Sequence, residues 1–423
     1  MAQRFYQPAD GVAGDFIPFY EDGWFYLFYL KDYRDIPGHG EGTPWFLIRT
    51  RDFTVFEELG EVMPRGTAQQ QDLFIFTGSV LRGPDGYHLY YTGHNPHFPA
   101  QGKAQEAIMH ATAQDLTHWV KQPADTFLAD PARFEPHDFR DPFVYHNPER
   151  GCYEMLLVSR AKGAGSQGGF TARYVSDDLA RWREDGALYA PGRYHTHECP
   201  DLFQIGDWWY LVFSEYSDRN LTRYVMARGP EGPWTQPADD AFDGRAFYAA
   251  KTASDGRHRY LFGWVSTREG DCDTGAWQWG GSLNVHQLVQ RPDGTLGCTL
   301  PESLARWPLR RRGDARQVLP EVADDAYRLT LEVSSARPWA LALGAYRLER
   351  ADGQLRWSGP GDLSGLCRPL GHRDRLRLDL TRQGDTLAVY AGDVALSARL
   401  YGDLAGVSLL GADGACALYA PER

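Results

Sequence analysis

Short apolar, aromatic-rich runs recur along the first 270 or so residues, each following a glycine-bearing turn and an earlier apolar stretch. Trp24-Phe25-Tyr26-Leu27-Phe28-Tyr29 follows Gly23, Tyr87-His88-Leu89-Tyr90-Tyr91 follows Gly86, and Tyr153-Glu154-Met155-Leu156-Leu157-Val158 follows Gly151. Trp208-Trp209-Tyr210-Leu211-Val212-Phe213 follows Gly206, and a weaker fifth copy, Arg259-Tyr260-Leu261-Phe262-Gly263-Trp264, follows Gly256. Strand, glycine turn, strand is the pattern of a β-hairpin.

A second signature falls between the hairpins. Asp52, Asp115 and Asp178 each precede an aromatic by four positions (Phe56, Trp119, Trp182), and the aspartates recur at intervals of 63 residues. A fixed period implies a repeated supersecondary unit, and five units of about 63 residues occupy roughly 315 residues, enough for four strands and long loops each. The pattern predicts an all-β fold: a five-bladed β-propeller over residues 1–310. Helical periodicity is scarce; Pro301–Trp307 offers one short turn. Arg310–Arg316 is charged and is expected to be an exposed linker. Beyond it, Tyr327–Val333 and Arg375–Leu380 alternate apolar and polar, the period of half-buried antiparallel strands, which predicts a small β-sandwich over residues 311–423.

Composition agrees with many short strands: 13 % of residues are aromatic, and there are 45 glycines and 26 prolines. Aromatic faces also suit sugar rings. The formal net charge of −12 and the lack of a basic run argue against nucleic acid as a partner. No run reaches the length of a membrane span, and the start, Met1-Ala2-Gln3-Arg4-Phe5-Tyr6, has no apolar segment of leader length. Six cysteines without a Cys-x-x-Cys pair predict neither a zinc site nor a disulfide framework, and a cytoplasmic setting is expected. No cofactor or metal is expected.

The repeat also organises the acids. Asp15 lies eight residues before Gly23, and Glu198 eight before Gly206. Asp141 lies ten before Gly151, with a longer turn between, and Gly78 stands midway between Asp15 and Asp141 at the 63-residue interval. Aligned on the turn glycine, three of four repeats carry a carboxylate where the first strand begins. In a propeller those strand starts converge on one mouth. Crowded carboxylates raise one another's pKa values, and a pair in different protonation states is what glycoside hydrolysis requires. Arg140, next to Asp141, favours that acid's ionised form, and Pro142 holds it extended.

Phe139-Arg140-Asp141-Pro142 and Glu198-Cys199-Pro200 resemble the Arg-Asp-Pro and Glu-Cys motifs of glycoside hydrolase family 32, the β-fructofuranosidases. Phe76-Thr77-Gly78-Ser79, Phe247-Tyr248-Ala249 and Trp279-Gly280-Gly281-Ser282 resemble further segments of that family. The resemblance implies a retaining hydrolase in which Asp15 is the nucleophile, Glu198 the general acid/base and Asp141 the transition-state stabiliser. It also implies a small-molecule or oligosaccharide substrate, contacted by Arg140, Phe76, Ser79, Tyr248 and Trp279. The chain departs from the family around its nucleophile: Ala13-Gly14-Asp15-Phe16-Ile17-Pro18 stands where the family has Trp-Met-Asn-Asp-Pro-Asn-Gly, so Gly14 replaces the sugar-contacting asparagine that precedes the nucleophile, and the neighbouring Trp and Asn are missing. His39-Gly40-Glu41-Gly42-Thr43-Pro44-Trp45 replaces a Trp-Gly-His stretch, which nominates His39 and Trp45 to fill the gap. Alternatives in the same frame are an inverting furanosidase resembling glycoside hydrolase family 43, a fructosyl transferase, and a carbohydrate-binding propeller without catalysis.

Overall fold

The computed structural model describes residues 3–334, 337–371 and 374–421. Met1 and Ala2, the first residues of the start read for a leader, lie outside the described residues. The fold is all-β. Five antiparallel meanders follow one another. The first is β1 (Val12–Glu21), β2 (Trp24–Asp32), β3 (Trp45–Thr50) and β4 (Glu57–Met63). The second is β5 (Phe74–Arg82), β6 (Tyr87–His94), β7 (Glu106–Ala113) and β8 (Val120–Lys121). The third is β9 (Phe134–Asn147), β10 (Cys152–Ala161), β11 (Gly169–Ser176) and β12 (Arg183–Tyr189). The fourth is β13 (Glu198–Ile205), β14 (Trp208–Glu215) and β15 (Leu221–Ala227), and the fifth β16 (Phe247–Ser254), β17 (Arg259–Arg268), β18 (Trp277–Gln290) and β19 (Leu296–Thr299).

The first strand of each meander packs against the first strand of the next, β1 on β5, β5 on β9, β9 on β13, β13 on β16, and β16 packs back on β1. β18 also pairs with β1 through Ala13 and Gly281, so the first and last meanders share one sheet. The recurring aspartates have a local role. Asp52 accepts the amides of Thr54 and Val55, Asp115 those of Thr117 and His118, and Asp178 those of Ala180 and Arg181. Each closes an Asx turn between the third and fourth strands of its meander. The aromatic that follows packs inward: Trp119 edge-on to Phe28, and Trp182 edge-on to Tyr90.

The C-terminal part is two antiparallel sheets. One is built from β20 (Leu309–Asp314), β21 (Ala326–Ser334), β26 (Arg375–Gln383), β27 (Thr386–Ala391), β28 (Val394–Arg399) and β30 (Gly414–Tyr419). The other holds β22 (Trp339–Leu343), β23 (Tyr346–Ala351), β24 (Gln354–Ser358), β25 (Cys367–Pro369) and β29 (Val407–Leu410). They share one apolar core that includes Leu329, Leu331, Leu341, Leu348, Leu378 and Leu380. The two alternating segments of the sequence, β21 and β26, pair directly with Leu329 opposite Leu380. The charged stretch from Arg310 is not a linker. It is the edge strand β20, paired to β30, whose exposed arginines suit an edge that must not attract further strands. Pro301–Trp307 makes a turn, with the Ala305 amide bonded to the Pro301 carbonyl at 3.1 Å, rather than a helix.

A buried polar cluster ties the C-terminal sheets to the meanders. Asp243 accepts from the Ser397 amide (2.7 Å) and hydroxyl (2.6 Å) and bonds the His286 ring at 2.9 Å; the other ring nitrogen of His286 faces the Tyr390 hydroxyl at 2.9 Å. Burial pushes the Asp243 carboxyl up, but the bonds from His286 and Ser397 outweigh it and hold it below its ordinary value. Among the described residues no helix is long and apolar enough to cross a membrane.

Candidate active site

Four of the five first strands are interrupted in the same way. Two residues on the first strand face one on its neighbour: Asp15 and Phe16 between the Gly14–Leu30 and Ile17–Phe28 pairs, Asp141 and Pro142 between Arg140–Val158 and Phe143–Leu156. Cys199 and Pro200 lie between Glu198–Ser214 and Asp201–Val212, and Ala249 and Ala250 between Tyr248–Trp264 and Lys251–Phe262. The first bulged residue is left-handed in every case, with φ of 48° at Asp15, 59° at Asp141, 51° at Cys199 and 51° at Ala249. Such a conformation is costly for residues with a Cβ and concentrates where the backbone must re-aim side chains. β5 is also interrupted, between Phe76 and Gly78, but without a left-handed residue.

This register corrects the glycine-based alignment. Asp15 and Asp141 do share a position, but Glu198 stands one residue earlier, level with Gly14, Arg140 and Tyr248. The cause is the turn. The β1–β2 turn is Asp22-Gly23, both left-handed, whereas the β13–β14 turn is Gly206-Asp207, with only the glycine left-handed. Glycine is second in one two-residue turn and first in the other, so aligning on it slips the strand by one. A slip of one residue would put Glu198 on the wrong face of a regular strand; the bulge lets adjacent residues both reach the cavity.

The cavity encloses about 480 Å³ and is lined by all three acids, Asp15, Asp141 and Glu198. The Trp264 indole N–H donates to Asp15 Oδ1 at 3.1 Å. Burial first, then the Asp141 carboxylate, push Asp15 up to about 7; Glu198 adds to this, and the Trp264 bond and the Lys251 charge oppose it. Asp141 accepts the Cys199 amide on Oδ2 at 2.9 Å, and its own amide donates to Thr92 Oγ1 at 2.8 Å. Burial raises Asp141 to about 6, with Arg140 pulling it down and Glu198 pushing it up. Glu198 accepts from Arg140 at 2.9 Å on one oxygen and from the Tyr248 hydroxyl at 2.6 Å on the other.

Arg140 is buried and fully occupied. Its other terminal nitrogen donates to Asp138 (2.9 Å) and the His137 carbonyl (3.0 Å), and lies 3.4 Å from Glu106. Burial lowers its proton affinity, but the charges of Glu106, Glu198, Asp141 and Asp138 outweigh it and hold it above its ordinary value. Glu106 also accepts the Phe139 amide at 2.8 Å, fixing the strand that carries Arg140 and Asp141. Below the acids, buried Lys251 donates to the Gly78 carbonyl at 2.6 Å.

Of the residues nominated as substrate contacts, Arg140, Phe76, Tyr248 and Trp279 line the cavity. Three do not, and the expectation for them is corrected. Trp45 is buried in the core beside Phe28 and Tyr91, and its indole N–H donates to the Ile75 carbonyl at 3.2 Å. Ser79 is buried and its hydroxyl accepts the Val144 amide, joining β5 to β9. His39 lies at the end of a one-turn helix, Ile36–His39, with its ring stacked 4.0 Å from Tyr33 and 3.3 Å from Asp35.

Sequence reasoning missed Trp264, Lys251, His94 and Asp32. A lone lysine in the apolar run Phe247–Ala253 was a usable signal for Lys251. Gly14 is explained by the structure: a Cβ there would sit 2.5 Å from the Trp279 ring. The indole of Trp279 occupies the space that a side chain at position 14 would need.

The family model of the glycosyl hydrolases family 32 N-terminal domain matches residues 7–293. The raffinose invertase of Escherichia coli is 28 % identical over 369 residues, covering 77 % of this chain and 74 % of its own. A sucrose-6-phosphate hydrolase of Escherichia coli is 26 % identical over 371 residues, with the same coverage of 77 % and 74 %. Among solved structures, the sucrose-6-phosphate hydrolase from Lactobacillus gasseri superposes with a TM-score of 0.82 at 19 % identity, covering 99 % of this chain and 93 % of that one. The Bombyx mori GH32 beta-fructofuranosidase does so with a TM-score of 0.76 at 18 % identity, covering 99 % and 94 %. The family match runs over well more than half of the sequence, and the chain therefore belongs to glycosyl hydrolases family 32 and is a glycosidase.

Proposed function

We propose that the protein is a retaining β-fructofuranosidase that hydrolyses sucrose or a related fructo-oligosaccharide through a covalent fructosyl-aspartate. The observation that carries this reading is the meeting of Asp15, Asp141 and Glu198 in one cavity, each delivered by the first strand of a different meander. The relatives named as invertase and β-fructofuranosidase supply the sugar class. We read the five meanders, residues 1–310, as a five-bladed propeller whose channel mouth is this cavity, and residues 311–423 as the β-sandwich domain. The six free cysteines suit a reducing, cytoplasmic compartment.

In this mechanism Trp264 holds Asp15 Oδ1, and Oδ2 attacks the anomeric carbon. The bond to the leaving oxygen breaks as Glu198 delivers a proton to that oxygen. Glu198 then takes a proton from water, the water oxygen attacks the same carbon, and the ester to Asp15 is released. Tyr248 and Arg140 keep Glu198 oriented through both steps. Asp141, fixed by the Cys199 amide, accepts sugar hydroxyls in bonds that strengthen as positive charge grows on the ring.

The test is turnover of sucrose, inulin-type oligosaccharides and aryl furanosides, with the first-formed anomer read by NMR. Retained configuration is expected, with Asp15→Asn and Glu198→Gln each lowering kcat by about 10³-fold or more while remaining folded. Inverted product, or near-wild-type activity in either variant, overturns the assignment.

A further inference from the structure

The cavity that holds the three acids also has a charge balance that bears on which fructoside it accepts. Four carboxylates line it, Asp15, Asp32, Asp141 and Glu198. Among the described residues the only lysine or arginine lining it is Arg140, which is already bonded to Glu198 and Asp138. Buried Lys251 lies behind the wall with its ammonium on the Gly78 carbonyl. His94 faces the cavity with its ring stacked on Phe76, 4.3 Å between centroids, and its Nδ1 3.6 Å from Glu106.

At the rim, Asp32 stands beside Arg34. Asp32 accepts the Arg34 amide at 2.8 Å and sits 3.8 Å from the Arg34 Nε, but the Arg34 guanidinium turns away, donating to the Gln278 side chain and the Trp279 carbonyl. Arg34 instead lines a separate open cleft with Arg399 and Tyr401. The remaining wall is largely apolar, with Leu30, Phe74, Phe76, Pro96 and Trp279, and the hydroxyls of Thr43 and Tyr248 donate to the Ile75 carbonyl and to Glu198. Apolar faces of this kind stack on the C–H surfaces of a sugar and give a phosphate nothing to bond.

We infer that the cavity selects neutral fructosides and rejects their phosphate esters, with Asp32 on its rim as a specificity-determining residue. This rests on the β-fructofuranosidase reading and separates two activities that the relatives' names leave side by side, invertase and sucrose-6-phosphate hydrolase. The physical ground is repulsion. A phosphate ester brings close to two negative charges into a site where carboxylates already raise one another's proton affinity, and where, among the described residues, the one arginine lining the cavity is already bonded to carboxylates. The neutral sugar meets none of this cost.

The experiment compares sucrose with sucrose 6-phosphate. Wild-type kcat/KM is measured for each at low salt, and binding of each to Glu198→Gln is measured by calorimetry. The expected result is a preference for sucrose of about thirtyfold or more in both readouts, shrinking as salt is raised and screens the carboxylates. Asp32→Asn is expected to narrow the preference by about threefold or more, chiefly by strengthening the phosphate ester, since one repelling charge is gone. Equal or tighter binding of sucrose 6-phosphate by wild type overturns the inference and leaves the fructosidase reading intact. A preference that Asp32→Asn leaves unchanged removes Asp32 from it. Binding and turnover of neither sugar overturns both readings together.

Discussion

Replacing Gly14 by alanine adds one methyl group directly beside the nucleophile, and the structure gives its consequences. The new Cβ would lie 2.5 Å from Trp279 Cζ2, 2.7 Å from Cη2 and 2.9 Å from Cε2. Carbon atoms sit comfortably at about 3.5–4.0 Å, so the indole must withdraw by roughly 1 Å. Its retreat is obstructed: Trp264 packs against it at 5.9 Å between ring centroids, and Arg34 holds the Trp279 carbonyl. Glycine to alanine within a strand would otherwise stabilise by about 0.5–1 kcal/mol, whereas overpacking costs about 1–3 kcal/mol, so the sign of the change reports the contact. A chain of 423 residues unfolds with an entropy near 0.9 kcal/mol/K, at ~2.1 cal/mol/K per residue, so a net loss of up to about 2 kcal/mol lowers Tm by up to about 2 °C.

The same displacement moves an aromatic face of the cavity, and Trp264 with it, away from Asp15. Losing about 1 kcal/mol of sugar contact there lowers kcat/KM about fivefold. The assay is a double-mutant cycle of Gly14→Ala and Trp279→Ala, read by thermal unfolding and by kcat/KM for sucrose. With the indole gone, Gly14→Ala should cost nothing in stability, giving a coupling of about 1–3 kcal/mol between the two sites. Gly14→Ala that melts at or above wild type with kcat/KM unchanged would refute the argument that Trp279 occupies the position-14 space.

Two further outcomes concern the charges around the acids. Lys251→Met retains the aliphatic stem and removes a cation that favours the ionised forms of Asp15 and Asp141, so both carboxyls rise further. The acid limb of the kcat/KM–pH profile should move up by about half a unit or more, and a folded variant with an unmoved limb would dismiss the role given to Lys251. Asp15→Asn should stabilise the fold at pH 8. There the wild-type carboxylate is charged in both folded and unfolded chains and only the folded one bears its burial, whereas the native chain regains its proton as pH falls through about 7. The variant is thus expected to melt higher than wild type at pH 8, with the difference fading toward pH 4; a lower melting point at pH 8 contradicts the burial account of Asp15.

Much of the architecture is legible from hydrophobic pattern alone, because hairpins carry both a period and a turn residue. All five hairpins lie where the glycine-bearing runs place them, and β21 and β26 where the alternation does. Where pattern misleads, a specific physical ambiguity is responsible. The arginines from Arg310 read as a linker because an edge strand and an exposed loop both carry charge outward; only pairing to β30 distinguishes them. Trp45 and Ser79 look like polar-tipped sugar contacts, yet each spends its polar atom on backbone, the Ile75 carbonyl and the Val144 amide. Trp264 and Asp32 cannot be found from local sequence, since their relation to Asp15 is set by packing between strands and at the rim.

The offset of Glu198 shows how the repeat makes a site. A regular strand presents alternate residues to one face, so Arg140 and Asp141 could not both point into the same cavity. The left-handed bulge removes that restriction, and each of four first strands supplies two consecutive residues to a common level: Gly14 and Asp15, Arg140 and Asp141, Glu198 and Cys199, Tyr248 and Ala249. The earlier position of each pair carries Gly, Arg, Glu and Tyr; three of these bond one another, while the glycine admits Trp279. The bulged position carries Asp, Asp, Cys and Ala, and there the Cys199 amide is bonded to Asp141. The acid/base candidate and the two aspartates thus belong to different rows of one repeated feature. That separation gives Glu198 hydrogen-bonding neighbours, Arg140 and Tyr248, distinct from those of Asp15, so carboxylates sharing one cavity can take up different protonation roles.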